Sequence, residues 1–331
     1  MAEESTSSTS SLSSSSGDQG ATSLAFRVEG VIDRSVWCFA GDSKDERTIY
    51  AGTGPNGIVL KSTDLSTWTI FTTIEDCHVR SLAVWANALF MGTQPKGRIY
   101  VHNFKSDEEY LFVETEDESV VAFAEYNGKL FAGTAPAGIV YSFDGIVWKE
   151  EHRPYGGGVT AMATSDKGLF VFSRRAEGPV VFDGSSWTAF FSSESDTKES
   201  SDDEQESVVG VTTAAQRVAQ NGIHGSSGNT AIARSAFITA GLGGFLDSDG
   251  KDVSPALPQF NVTTAVQVAG GVAFGGLDNG VVVFASVNNE MNSVSKLFDI
   301  GSQVSVLASI SPNCIMAASK GTVFIAQGEV I

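Results

Sequence analysis

One short pattern recurs along this chain at an almost constant interval, and it constrains the fold more than any other feature. Its clearest copy is KLFAGTAPAGIVYSFDGIVWKEE, residues 129–151. LFAGT is apolar and ends at the turn APAG. GIVYSF is β-branched and aromatic and ends at DG, and IVWKEE alternates apolar with polar. Period-two runs broken by Gly, Pro and Asp are the mark of strands joined by tight turns. A glycine opening the third strand sets the register of each copy: Gly57, Gly97, Gly138, Gly178, Gly243, Gly280 and Gly321, at intervals of 40, 41, 40, 65, 37 and 41. A glycine repeated at a turn suits a backbone with φ > 0.

A period near 40 with several strands per unit predicts an all-β, seven-bladed β-propeller. The preceding strand is expected to open seven residues before the marker, at Tyr50, Phe90, Phe131, Ala236, Ala273 and Cys314, with one extra residue between Phe170 and Gly178 in the fourth copy. The first strand of each blade should lie nearest the axis, where the small residues Ala83, Ala124, Ala163 and Ala308 suit the crowding.

The two ends of the chain fit one ring. Residues 1–22 are dominated by Ser and Thr, cannot bury apolar area, and read as a disordered tail. Residues 23–31, SLAFRVEGV, form one strand with no partner before it, and the seventh repeat supplies three strands and then stops. A propeller has to close or leave open edges. The N-terminal strand is therefore expected to complete the last blade, making 23–331 one domain. Blades one to four are read at 35–74, 78–115, 119–151 and 158–191, and blades six and seven at 261–300 and 303–327. Blade five carries the extra length. Within it ESDTKESSDDEQES, 194–207, holds seven acids against one Lys and reads as an acidic loop insertion, and 221–230 is a second turn-rich insertion.

Charge excludes some partners. A net charge of −18 and a pI near 4.5 argue against nucleic acid and anionic membrane surfaces, which call for basic patches. No run of 18 apolar residues is present, so no membrane insertion is expected, and the N-terminus shows no apolar signal core. Cys38, Cys77 and Cys314 form neither a disulfide framework nor a CxxC pair. The histidines, His78, His102, His152 and His224, share no ligand spacing, and no phosphate-binding GxxxxGK[ST] loop occurs. No cofactor, metal or catalytic residue is expected.

Three repeats carry a related turn: STDLSTW at 62–68, SFDGIVW at 142–148 and VFDGSSW at 181–187. A fourth, DSDGKDV at 247–253, keeps Asp249 and the following Gly but has no Trp. Asp accepts hydrogen bonds from turn N–H groups, and Trp should land on the outer strand and pack between blades. This pattern resembles the Asp-box, or BNR, repeat, of general form S-x-D-x-G-x-T-W. Asp64, Asp144 and Asp183 match its aspartate, and Trp68, Trp148 and Trp187 its tryptophan. The spacing departs by one residue, and Ser66 replaces the Gly of the first copy. The resemblance implies a structural box facing away from any active centre. The family includes sialidases, which resemble one another in an early Arg-Ile-Pro motif, three arginines on separate blades and a Tyr-Glu pair. This chain has ten arginines and only Arg153-Pro154 near such a motif, so a sialidase-like glycosidase is disfavoured.

The loops before the marker glycines should surround one mouth of the central channel. They place Lys96, Arg174, Arg175, Glu177, Asp278, Asn279 and Lys320 around it as a candidate partner-binding ring. Blade-to-blade connections on the same face, Glu75-Asp76, Glu116-Asp117-Glu118 and 194–207, predict an acidic arc. A Ser-run N-terminus ahead of such a propeller also resembles virion proteins of tailed bacteriophages. That resemblance implies a non-enzymatic structural or protein-interaction module in a capsid, neck or tail. The alternatives are a carbohydrate-binding propeller for host or cell-surface glycans, whose mouth loops would need aromatic side chains, and a soluble cytoplasmic module.

Overall fold

The computed structural model describes residues 33–42, 45–65, 67–154, 157–165, 168–174, 179–189, 237–238, 245–246, 262–268, 271–276, 281–286, 294–300, 304–311, 314–319 and 322–327. Their regular structure is entirely β. The first sheet holds β1 (Ser35–Asp42), β2 (Asp45–Gly54), β3 (Ile58–Ser62) and β4 (Thr69–Thr73), paired antiparallel in sequence order. The second holds β5 (His78–Trp85), β6 (Ala88–Gln94), β7 (Arg98–Asn103) and β8 (Glu108–Glu114), and the third β9 (Ser119–Tyr126), β10 (Lys129–Ala135), β11 (Val140–Phe143) and β12 (Trp148–His152). The fourth holds β13 (Val159–Ser165), β14 (Gly168–Ser173), β15 (Val180–Phe182) and β16 (Trp187–Ala189). Then come the short pair β17 (Phe237–Ile238) and β18 (Phe245–Leu246), and a further four-stranded sheet, β19 (Val262–Val268), β20 (Gly271–Gly276), β21 (Val281–Ser286) and β22 (Val294–Asp299). The last sheet has three described strands, β23 (Val306–Ser311), β24 (Cys314–Ser319) and β25 (Thr322–Gln327). Residues 1–31, with the expected closing strand at 23–31, and both insertions of blade five lie outside the described residues.

The burial gradient across a sheet explains its sequence. In the second sheet, β6 is buried along all but its last residue, β7 alternates, and β8 is exposed along most of its length. An inner strand packed on both faces by neighbouring sheets must be apolar on both faces, whereas an outer strand faces solvent. The cores therefore sit between sheets. Cys38, Tyr50 and Val59 of the first sheet pack with Leu82, Leu89 and Met91 of the second. Phe90, Ile99 and Val101 pack with Phe123, Leu130 and Phe143 of the third. Phe131 and Val140 then meet Met162, Leu169 and Val171 of the fourth. Phe39, Ile49 and Leu60 pack against Met316, Ala318 and Ile325, so the first sheet also lies on the last. Ser305 Oγ donates to the Val36 carbonyl at 3.1 Å across the same seam.

β24 opens at Cys314, as the seven-residue spacing predicts, whereas β2, β6, β10 and β20 begin earlier. β6 opens at Ala88 and β10 at Lys129, because two-residue turns at Ala86-Asn87 and Asn127-Gly128, all with φ > 0, start the hairpin pairing at once.

Candidate interaction face

In each antiparallel sheet the turns between first and second and between third and fourth strands fall at one end. The turn between second and third strands shares the other end with the connection to the next sheet. This second end is the mouth. Its turns are built alike in the first three sheets, from Gly-Thr-x-Pro-x-Gly: GTGPNG at 52–57, GTQPKG at 92–97 and GTAPAG at 133–138. The marker glycines there have φ of 66°, 48° and 83°. A side chain at any of them would strike backbone: a Cβ would lie 1.9 Å from Ile74 O at Gly57, 2.1 Å from Asp117 O at Gly97 and 2.1 Å from Gly157 O at Gly138.

Two buried aspartates clamp these turns. Asp117 accepts from Glu118 N–H at 2.9 Å, Ala137 N–H at 3.1 Å and Gly138 N–H at 3.1 Å, and its Oδ2 lies 2.8 Å from Thr134 Oγ1. The Thr134 hydroxyl is also 3.0 Å from Ile139 O, and it accepts from Ile139 N–H. It has one proton to give, and the charged oxygen is the stronger acceptor. Asp33 repeats the arrangement with Arg34 N–H at 2.8 Å, Thr53 Oγ1 at 2.5 Å and Asn56 N–H at 3.2 Å. Each aspartate stands three residues before the inner-strand valine that pairs with its threonine, Val36 with Thr53 and Val120 with Thr134. In the second sheet the equivalent Asp76 is exposed with φ of 56°, and the turn is held by other bonds, Thr93 Oγ1 to Arg98 O at 3.1 Å and Gly97 N–H to Glu118 O at 2.8 Å. In the fourth, Ser173 takes the threonine's place, and its hydroxyl has no partner among the described residues.

Of the acidic arc expected on this face, 194–207 lies outside the described residues, and not every described acid is free. Asp117 is buried, its carboxylate filled by N–H and O–H donors. Glu116 is tied to Arg153, whose Nη2 lies 2.9 Å away while Nε bonds Glu150. Glu75, Asp76 and Glu118 remain exposed. Beside them Cys77 is not a nucleophile: burial, then the charges of Asp76 and Asp33, push its thiol up to about 11, so it stays protonated at neutral pH.

At the mouth end the inner strands of the first four sheets break register, the third at Val121. The other three breaks lie between Val36 and Cys38, Val79 and Ser81, and Val159 and Ala161, leaving Trp37, Arg80 and Thr160 as the extra residues. The residues flanking them are buried between sheets, whereas these three are only partly buried. Arg80 stacks on Trp37, its Cζ 4.0 Å from the ring centroid, and His78 meets the same indole edge-on at 5.9 Å.

Of the candidate ring, Lys96 and Arg174 are described, exposed on turns of the mouth face. Arg175, Glu177, Asp278, Asn279 and Lys320 lie outside the described residues. Arg80 and Trp37, deeper in, were not singled out by the sequence, because a β-bulge leaves no mark in a period-two pattern.

The Asp turns occupy the opposite end. Asp64 Oδ1 accepts from Thr67 N–H at 2.7 Å, Asp144 Oδ1 from Ile146 and Val147 N–H at 2.9 and 3.1 Å, and Asp183 Oδ1 from Ser185 and Ser186 N–H at 2.7 and 2.8 Å. Those donors hold the carboxyls of Asp144 and Asp183 below the usual carboxylate range. Asn103 builds the same turn in the second sheet, accepting from Lys105 and Ser106 N–H. No sequence match marked it, since Asn stands where the pattern requires Asp. Trp148 stacks on Phe143 at 5.1 Å and meets Phe90 of the neighbouring sheet edge-on. Trp187 stacks on Phe182 at 4.8 Å and on His152 of the neighbouring sheet at 4.5 Å. Trp68 lies 6.3 Å from Phe39. Asp249 lies outside the described residues.

No family model and no curated protein matches this chain. Its structure is similar to the WD40 repeats of RRP9, at 14% identity and a TM-score of 0.66 over 94% of this chain and 99% of that one. It is similar to YCF48 from Cyanidioschyzon merolae, at 9% identity and a TM-score of 0.67 over 92% and 98% of the two chains. It is also similar to YCF48 bound to D1 peptide, at 12% identity and a TM-score of 0.62 over 97% and 99%. At these identities the likeness is one of fold, and the fold is a β-propeller.

Proposed function

We propose that this chain is a non-enzymatic interaction module that meets a partner protein through the mouth face of a seven-bladed ring. The observation that carries the reading is the construction of the mouth turns. One rigid frame of threonine, proline and positive-φ glycine is repeated, while its exposed tips differ: Pro55-Asn56, Pro95-Lys96 and Pro136-Ala137. A fixed backbone with variable tips suits recognition, because little loop entropy is lost on binding. A carbohydrate reading calls for exposed aromatic platforms, and these tips carry none.

Ring closure by residues 23–31 belongs to the same proposal. In the third sheet, Asp117 follows the end of outer strand β8 by three residues on its way to the turn. Asp33 holds the equivalent place on the first sheet, which supports reading residues 23–31 as an outer strand of the preceding sheet. That sheet is the one with three described strands. A place in a tailed-phage virion, with the Ser-rich residues 1–22 as attachment, rests on the sequence resemblance to such proteins.

The test is photo-crosslinking in the organism of origin. A photoreactive residue is introduced at Lys96 or Asn56 on the mouth face, or at Lys105 on the opposite face. The reading requires the same protein to be captured from both mouth positions and not from Lys105. Equal capture from all three, or none from the mouth, overturns it.

A further inference from the structure

We infer that the inner mouth of the channel is a binding site for a carboxylate, received by the Arg80 guanidinium where it lies on the face of Trp37. This rests on the mouth being the contact face and names the chemical group that enters it.

Arg80 is an anomaly in so acidic a chain. Arg98 and Arg153 are paired with glutamates. Arg80 is largely buried, which lowers its pKa, and among the described residues no carboxylate reaches it. Its Nε is buried without a hydrogen-bond partner, and so is Nδ1 of the neighbouring His78. A buried guanidinium stays charged, and a buried charge without a counter-charge is costly. The indole face at 4.0 Å offsets part of that cost but accepts no N–H in the guanidinium plane. The inner strands of the other described sheets that break register at this end contribute no acid at Trp37, Val121 or Thr160. The bulge itself turns Arg80 out of the sheet stack, where Val79 and Ser81 are fully buried, toward the channel. The result is an aromatic platform carrying one positive charge, with donors in its plane left for an arriving anion.

The charge count favours a carboxylate over a phosphate. One guanidinium balances one negative charge, and the rim outside carries Glu75, Asp76 and Glu118, which repel a dianion more strongly. Either a chain terminus or an acidic side chain presents such a group, and the planar fork of arginine accepts both in the same bidentate manner.

The experiment titrates full-length protein, labelled with nitrogen-15, with four probes at matched ionic strength. They are N-acetyl-trialanine with a free C-terminal carboxylate, N-acetyl-Ala-Glu-Ala amide, N-acetyl-trialanine amide, and inorganic phosphate. The Nε–H resonances of Arg80 and the indole N–H of Trp37 are followed. One or both carboxylate peptides should give saturable shifts of these two resonances and raise Tm, and the neutral amide should do neither. Arg80→Gln should weaken the response at least tenfold while leaving the ligand-free protein folded. Arg80→Lys, which keeps the charge but loses the planar fork, should weaken it less than Arg80→Gln. Equal shifts from the neutral amide, tighter saturation by phosphate, an unaltered response in Arg80→Gln, or no saturation by either carboxylate peptide overturns the proposal. These probes need no protein partner, so their failure leaves the crosslinking result standing, and the reverse also holds.

Discussion

Oδ2 of Asp117 lies 2.8 Å from Thr134 Oγ1, both groups buried, and this contact ties the strand-to-strand loop entering the third blade to the mouth turn of the same blade. The same carboxylate takes two further N–H groups of that turn, so one side chain organises a whole loop.

Replacing Asp117 by Ala should therefore be among the more damaging polar substitutions. It strands the turn N–H groups in a buried site, at a cost of about 3 kcal/mol. Urea unfolding of the variant checks this; a loss below about 1 kcal/mol would show that water replaces the carboxylate without penalty.

The two glycine environments should separate cleanly. Gly97→Ala forces a Cβ to 2.1 Å from Asp117 O at a φ of 48° and should cost about 3 kcal/mol or prevent folding. Gly128 has φ of 72° but nothing within 4 Å, so Gly128→Ala should cost about 1 kcal/mol. Comparable losses in thermal melts would mean that conformation, not space, decides both sites.

Asp144→Ala removes an exposed turn acceptor, so its fall in Tm at pH 7 should be smaller than that of Asp117→Ala. Because the folded-state pKa of Asp144 is depressed, its contribution is present above the unfolded value of 3.8 and lost as pH falls below it. The Tm gap between wild type and Asp144→Ala should therefore close toward pH 2. A gap independent of pH would mean that the lost contacts are not those of the carboxylate.

His152 lies flat on Trp187, ring centroids 4.5 Å apart, and burial lowers its pKa from 6.5. The folded state thus resists protonation more than the unfolded chain. Its contribution is intact above the unfolded value and declines as pH falls below 6.5 toward the folded value. His152→Phe keeps a flat ring on the indole and should flatten that part of the Tm–pH curve. If the variant retains the wild-type slope between pH 7 and 5, other groups are responsible.

Deleting residues 1–31 should lower Tm markedly, and deleting 1–20 should not, if the N-terminal strand covers the open edge of the last blade. Equal melting of both truncations and the full chain would remove the closure proposal.

Some of this was legible in the linear pattern. The 40-residue interval, the marker glycines and the Asp turns follow from local physics, since a turn with φ > 0 or an Asp two or three residues before its donors is specified by neighbours in the chain. Asn103 escaped only because it builds the same turn with a different residue. The mouth clamp was half visible. Asp117 stands in an exposed-looking acidic run, yet the fold buries it against a turn 17 residues away.

The sequence by itself determined that strands repeat, where they turn and which faces are apolar, because those properties depend on residues within a few positions of one another. Only the tertiary structure decided which polar groups meet. The register break at Arg80 and the stacking of that side chain on Trp37 of another blade depend on how whole sheets pack around the channel. No local spacing encodes that packing, because burial and electrostatics are set by the distance between groups in space and not along the chain.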